Sequence, residues 1–355
     1  MSELPLVSIV TPSFNQVNYL EETMRSVLEQ DYPRIEYIVI DGGSTDGSVD
    51  IIRKYADRLA YWVSEKDRGQ TDAVNKGYAV ARGSILGWLN SDDTYKPGAI
   101  RAAVDYLVSH PQTGLVYGDL DFIDDNGRIV GKFPAAQTDL KRLRRGYVHI
   151  PQPAAFFRAE HWQQVGPLDP SFYFAMDYDL WVRLARVSQI AYVPRLWANF
   201  RLHGGGKTVV ADDRCWPEML RVHYRDGGSF IAPIVAKYYA RKLAAPLITW
   251  LRLGALAGGA SSGALATSSV NTLIRDQSIF FAPWSGAAAA SNGARAGSAP
   301  APAPPRAAQA IPAAASSRPS RPVSAACCST SLCASPNAVS RRRRRARRAS
   351  TSSPR

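Results

Sequence analysis

The feature that most restricts what this chain can fold into is a fourfold alternation of short apolar runs with amphipathic segments. The apolar runs are "LVSIV" (6–10), "IEYIVI" (35–40), "LAYWV" (59–63) and "SILGWL" (84–89). Their side chains are apolar almost without a break, as strands buried on both faces require. Between them, Leu20, Met24, Val27 and Leu28, then Ile51, Ile52 and Tyr55, then Ala73, Val74 and Gly77 recur at helical spacing, and Gly83 stops the third helix. Asn18 and Glu21 have capping-box spacing at the start of the first. Repeats of this kind predict an α/β fold, a mainly parallel sheet with helices on both faces.

In such sheets ligands bind beyond the carboxyl ends of the strands. Polar clusters stand at those ends: "TPSFN", "DGGSTDG", "SEKDRGQTD" and "NSDD". Four of them converging on one edge point to a nucleotide site. The last lies in "LNSDDTY" (89–95), where Asp92 and Asp93 end an apolar strand. Like charges repel and desolvation is costly there, so the pair calls for a cation. An Asp-rich turn explains it equally: Pro97 suits a first helical turn, and Ile100, Ala103, Val104, Leu107 and Val108 continue at helical spacing.

Past residue 110 the pattern changes. In "LVYGDLDFIDDNGRIVGKF" (115–133), Asn126-Gly127 between two strand-like runs signals a hairpin, so antiparallel strands join the sheet. "MDYDLWVRLARV" (176–187) reads as a helix burying Leu180, Trp181, Leu184 and Val187, and "QIAYVPRLWANFRLH" (189–203) as a further strand. Residues 231–282 read as amphipathic helix, with Lys237, Arg241, Lys242 and Arg252 among Tyr, Trp and Leu; this fits either a packed C-terminal helix or a peripheral membrane contact. The most apolar stretch, 243–260, is interrupted by Arg252, which argues against a spanning helix. The expected organisation is a catalytic domain over 1–215, a helical extension over 216–282, and an Ala/Pro/Ser/Arg-rich disordered tail over 283–355. GC-rich DNA read in a shifted frame yields such a tail.

The net charge of +13 suggests nucleic acid until it is located. Residues 287–355 hold 12 arginines and no acid, which leaves +1 for residues 1–286. The folded part gives no electrostatic reason for a specific nucleic-acid partner. Cys327, Cys328 and Cys333 lie in the tail and Cys215 stands alone, so no disulfide framework is indicated. With no basic, apolar leader in "MSELPLVSIV", a cytoplasmic location is expected.

Three long stretches resemble the family 2 glycosyltransferases: residues 7–55, "DRGQTDAVNKGYAVARGSILGWLNSDD" and "MDYDLWVRLAR". The resemblance spans roughly residues 5–210 and implies a GT-A fold and an inverting, hexosyltransferase-type enzyme with a nucleoside diphosphate sugar as donor. It implies that Thr11, Pro12 and Asp41 hold the base, with Arg68, Asp72 and Asn75 continuing that wall. Asp67 and Lys76 either extend the wall or pair on the surface. "NSDD" takes the place of the family's Asp-x-Asp motif, with Asp92 on the ribose or a metal-bound water and Asp93 on Mg²⁺ or Mn²⁺, which prefer hard oxygen ligands. Asn90 stands where many relatives carry an acid.

An inverting displacement needs a base for the acceptor hydroxyl. The resemblance maps it onto Asp177, with Asp179 a rival and Met176 where an acid usually precedes it. Both aspartates also suit a helix N-terminus. In "RLHGGGKT" (201–208), His203 is read as a ligand of the metal or of phosphate and Lys207 as a partner of the diphosphate. The implied acceptor is a saccharide or lipid-linked hydroxyl, in cell-surface polysaccharide or glycolipid assembly. A nicotinamide dehydrogenase is excluded because "TPSFNQ" after the first strand has no glycine, and a P-loop kinase because its motif is absent. A nucleotidyltransferase and a non-catalytic sugar-nucleotide binding protein are the alternatives.

Overall fold

The computed structural model describes residues 3–207, 212–240 and 242–243. The segment 244–282 of the expected helical extension and the whole 283–355 tail lie outside the described residues. The described elements in chain order are β1 (Val7–Ser13), α1 (Leu20–Leu28), β2 (Ile35–Asp41), α2 (Ser48–Lys54), β3 (Tyr61–Ser64), α3 (Gln70–Val80), β4 (Ile85–Trp88), β5 (Thr94–Tyr95), α4 (Ala99–Ser109), β6 (Thr113–Ile123), β7 (Ile129–Lys132), α5 (Leu140–Arg144), β8 (Ala155–Arg158), α6 (Ala159–Val165), α7 (Met176–Val187), β9 (Gln189–Arg201) and α8 (Asp212–Arg225).

The first four apolar runs form a parallel half-sheet, β3-β2-β1-β4, and antiparallel β8 pairs with β4 to carry the sheet on through β6, β9 and β5. β6 and β9 are parallel, and the expected hairpin is β6–β7. Successive strand residues point to opposite faces, so the sheet has a core on each side. One holds Val7, Ile9, Tyr37 and Val39 against Leu20 and Met24 of α1 and Ile100 and Leu107 of α4. The other holds Val10, Ile38 and Ile40 against Val74 of α3 and Trp181 and Leu184 of α7. α3 lies so close to β1 that a Cβ on Gly77 would stand 2.4 Å from Val10 Cγ1. β1 is flanked by β2 and β4, so the chain turns outward in both directions from its end, the place where such sheets open a ligand crevice.

One expectation is corrected. The Asn18–Glu21 capping box does not form: α1 begins after Tyr19 with no side-chain cap, and Glu21 instead accepts hydrogen bonds from Lys54 Nζ (2.6 Å) and Tyr55 (2.7 Å) near the end of α2. The boundary expected at residue 215 falls inside α8, which is tied to α7 by an Arg225–Asp179 ion pair. Beyond it, the helix that starts at residue 233 seats Ile234 and Val235 against Trp216 and Leu220 of α8. Among the described residues no helix is long and apolar enough to cross a membrane.

Candidate functional site

β4 delivers Trp88 to the sheet edge, and the chain turns back with the Asp93 N–H donating to the Asn90 carbonyl at 3.2 Å. The turn sorts the two carboxylates. Asp93 is 1% exposed, with Oδ1 accepting from the Arg201 N–H (3.1 Å) and Oδ2 from Asn90 Nδ2 (3.1 Å). Burial, together with Asp92 beside it, raises the Asp93 carboxyl well above the usual carboxylate range. Asp92 points the other way, with Oδ2 3.0 Å from Nε2 of His203. Each Asp93 oxygen thus carries a hydrogen bond inside the protein, whereas the Asp92 carboxylate is less buried and adjoins His203.

Arg201, at the end of β9, makes this arrangement possible. Its guanidinium is 1% exposed; it donates to the carbonyls of Asp92 (3.1 Å) and Asp124 (3.0 Å) and pairs with Glu22 (2.6 Å). Two residues on, His203 packs its ring against Tyr19 at 4.7 Å between centroids, and the Gly206 N–H closes a turn on the His203 carbonyl (3.0 Å). Cβ atoms at Gly205 and Gly206 would lie 3.5 and 3.6 Å from the His203 ring, so the glycine loop runs close over it.

The same loop brings in Lys207, whose Nζ donates to Gln70 Oε1 (2.9 Å) and stands 4.0 Å from the centre of the Tyr173 ring. Gln70 Nε2 in turn donates to Asn90 Oδ1 (2.6 Å), which also accepts from Trp88 Nε1 (2.7 Å), while Asn90 Nδ2 donates to Gln152 (3.0 Å) as well as to Asp93. Every hydrogen-bonding position of the Asn90 amide is therefore used. Asp177, in the first turn of α7, feels the charge of Lys207. Burial raises its carboxyl to about 6, opposed by the N–H groups of Tyr178 and Asp177 and by Lys207. Burial also lowers Lys207 to about 8, opposed by Asp177 and Glu218. Asp179, the rival base, is fully buried and paired with Arg183 (2.9 Å) and Arg225, which takes it out of the crevice.

The remaining wall residues divide into available and occupied groups. Arg68 is exposed and pairs with Asp72 (2.8 Å) at the mouth of α3, and Pro12 closes the end of β1. Lys76 pairs with Glu65 (2.8 Å) and Asp72 (3.6 Å), whereas Asp67 accepts from the Gly69 N–H. Thr11 is buried with its hydroxyl 3.1 Å from Tyr37 OH, and Asn75 spends both ends of its amide on the backbone of Leu168 (2.9 Å each). Asp41 accepts from Gly43 N, Ser44 N and Ser64 Oγ on one oxygen and from Ser44 Oγ on the other, leaving lone-pair room chiefly on Oδ1. Gln70, Gln152, Arg201 and Glu218 were not singled out from sequence. Gln70 and Arg201 lie inside quoted motifs, but Gln152 and Glu218 carry no local signal.

Among the described residues no three His, Cys, Asp or Glu side chains cluster as a metal cage. One carboxylate and one imidazole would hold two positions of a Mg²⁺ or Mn²⁺ ion and leave the others for diphosphate oxygens and water. The donor set fits an ion that binds together with its substrate.

Residues 8–176 match the Glycosyl transferase family 2 profile. An uncharacterized glycosyltransferase of Mycobacterium tuberculosis H37Rv is 34% identical over 209 residues, which cover 58% of this chain and 79% of the relative. One of Rickettsia bellii is 30% identical over 234 residues, covering 61% of this chain and 34% of the relative. Among solved structures, S. aureus TarS 1–349 in complex with UDP-GlcNAc aligns with a TM-score of 0.54 at 17% identity, over 67% of this chain and 73% of that one. The Pyrobaculum calidifontis mannosyltransferase PcManGT in complex with GDP-Man and Mn²⁺ aligns at 0.52 and 21%, over 79% and 84%. These two share the fold, the GT-A arrangement that the family resemblance implies. With a sequence that covers most of a curated glycosyltransferase and a crevice at the parallel strand ends, the chain belongs to glycosyltransferase family 2.

Proposed function

We propose that this glycosyltransferase is inverting and metal-dependent, and that it moves a hexosyl group from a nucleoside diphosphate sugar to an acceptor hydroxyl. The observation that carries the reading is the pairing of Asp92 and His203 with a carboxyl at Asp177 that burial makes a stronger base, suited to accept a proton near neutral pH. Arg68 and Pro12 line the mouth where the base enters, and Oδ1 of Asp41 can take one more donor. Asp92 and His203 would hold Mg²⁺ or Mn²⁺, whose Lewis acidity neutralises charge on the diphosphate. Lys207 keeps a cation near that charge, and Asp177 takes the acceptor proton as the new glycosidic bond forms on the face opposite the departing diphosphate.

The acceptor in this reading is a saccharide or lipid-linked hydroxyl of cell-surface polysaccharide or glycolipid assembly, met at the cytoplasmic face of the membrane. The exposed Phe230, Ile231 and Leu243 near the end of the described chain support a peripheral contact there. A panel of nucleotide sugars, assayed for nucleoside diphosphate release with Mn²⁺ or Mg²⁺ and a saccharide acceptor, tests the reading. Release that depends on one nucleotide sugar and stops with chelator is the expected result. Equal release with chelator present would remove the metal from the proposal, and product of retained anomeric configuration would remove the single displacement.

A further inference from the structure

We propose that Glu218 is a positioning residue of the transfer reaction, fixing from α8 the backbone that presents Asp177 and the aromatic seat of Lys207. The inference rests on the reading of Asp177 as the general base. The Glu218 carboxylate accepts from three consecutive peptide N–H groups: Tyr173 (2.9 Å to Oε1), Phe174 (2.7 Å to Oε2) and Ala175 (3.0 Å to Oε2). Successive N–H groups converging on one anion form a nest, and here the anion belongs to the protein. The next two residues are Met176 and Asp177.

The local sequence has no acid of its own for those donors. Met176, where the family usually places one, is buried and accepts from the Thr71 hydroxyl at Sδ (2.8 Å). The negative charge comes instead from more than forty residues downstream. α8 grips the same loop a second time, with Arg221 donating to the Ser171 carbonyl (2.9 Å) and lying 3.8 Å from the centre of the Phe172 ring. The loop so held also supplies the rings of Tyr173 and Phe174, 4.0 and 5.5 Å from Lys207 Nζ. One carboxylate thus sets both the start of the helix bearing Asp177 and the seat of the cation next to it, and its charge helps keep that cation protonated.

The test is Glu218→Gln, which keeps the size and one acceptor oxygen but removes the charge, assayed in the full chain with the nucleotide sugar that the wild-type protein turns over best. The expected result is a kcat reduced about 10- to 100-fold, as small misplacements of a reacting group produce, with donor KM within about twofold and the alkaline limb of kcat moved to lower pH. Glu218→Asp, which keeps the charge but reaches less far, is expected to fall between the two and keeps the test open should Glu218→Gln fail to fold. A folded variant of either kind with wild-type kcat and an unmoved pH profile would overturn the inference, even with a lowered melting temperature, because that is the signature of a merely structural clamp. A wild-type chain that turns over no nucleotide sugar would sink the transfer reading and this inference with it.

Discussion

Replacing Asp177 by Asn tests whether one carboxyl is both the base and a source of instability. Burial lifts Asp177 from its ordinary value of 3.8 to about 6. Holding it charged in the folded state therefore costs about 3 kcal/mol, at about 1.4 kcal/mol per tenfold change in proton affinity. The sign follows from linkage. The folded pKa lies above the unfolded one, so below about pH 4 both states are protonated and no cost exists; between about 4 and 6 stability falls, and above that the cost is constant. An Asn side chain can accept the Tyr178 N–H as Asp177 does, and it carries no charge to desolvate. Asp177→Asn should therefore be more stable than wild type by about 1–3 kcal/mol at pH 7.5, allowing for partial exposure of the site, with the gain vanishing near pH 4. Urea denaturation of both proteins from pH 4 to 8 measures it. The same variant should lose transfer activity by at least about 100-fold, while wild-type kcat drops about tenfold per pH unit below about 6 as the base is protonated. A stability difference that does not change with pH, or an acidic limb near pH 4, would refute the account of a desolvated base.

Three further outcomes are expected. His203→Ala should weaken the Mn²⁺-dependent part of nucleoside diphosphate binding by about 10-fold or more and leave metal-free binding as it was, by calorimetry with and without the ion; an unchanged Mn²⁺ response removes His203 from the site. Asn90→Asp turns two donors into acceptors facing Asp93 and Gln152, and should destabilise the fold by about 2–4 kcal/mol in chemical denaturation. Gly77→Ala places a methyl 2.4 Å from Val10 Cγ1 and should cost about 1–3 kcal/mol by overpacking the α3–β1 contact, read in the same way.

The parallel half of the sheet was legible because its strands are apolar runs, buried on both faces in β1, β2 and β4 and only partly buried in β3, and periodicity reads such runs directly. α7 was legible in its bounds and in Leu180, Trp181 and Leu184 of its buried stripe, whereas Val187, also expected there, is only half-buried. Local patterns misled where a distant partner outcompeted a near one. Glu21 prefers Lys54 and Tyr55 at the end of α2 to a capping box of its own. The boundary expected at 215 falls inside α8, whose contacts, Asp179–Arg225 and Glu218 on the α7 entry, are long-range and leave no periodic mark.

The adjacent carboxylates of "NSDD" show why motif spacing identifies a site before it assigns roles within it. Adjacent side chains in a tight turn point apart, so only one of the pair can face the crevice, and sequence spacing does not say which. Here the choice is made by Arg201, more than a hundred residues later. Its backbone N–H takes Asp93 inward and its buried guanidinium holds the Asp92 carbonyl, which leaves the Asp92 carboxylate turned toward His203. The cation that two neighbouring aspartates demand is thus supplied in part by the protein itself, with Arg201 opposing the rise in the Asp93 carboxyl. On the proposed metal-dependent reading, the charge left for an ion is essentially that of Asp92. A site with one carboxylate and one imidazole binds a divalent ion weakly by itself and more firmly once diphosphate oxygens complete its coordination, which couples metal binding to donor binding in either order.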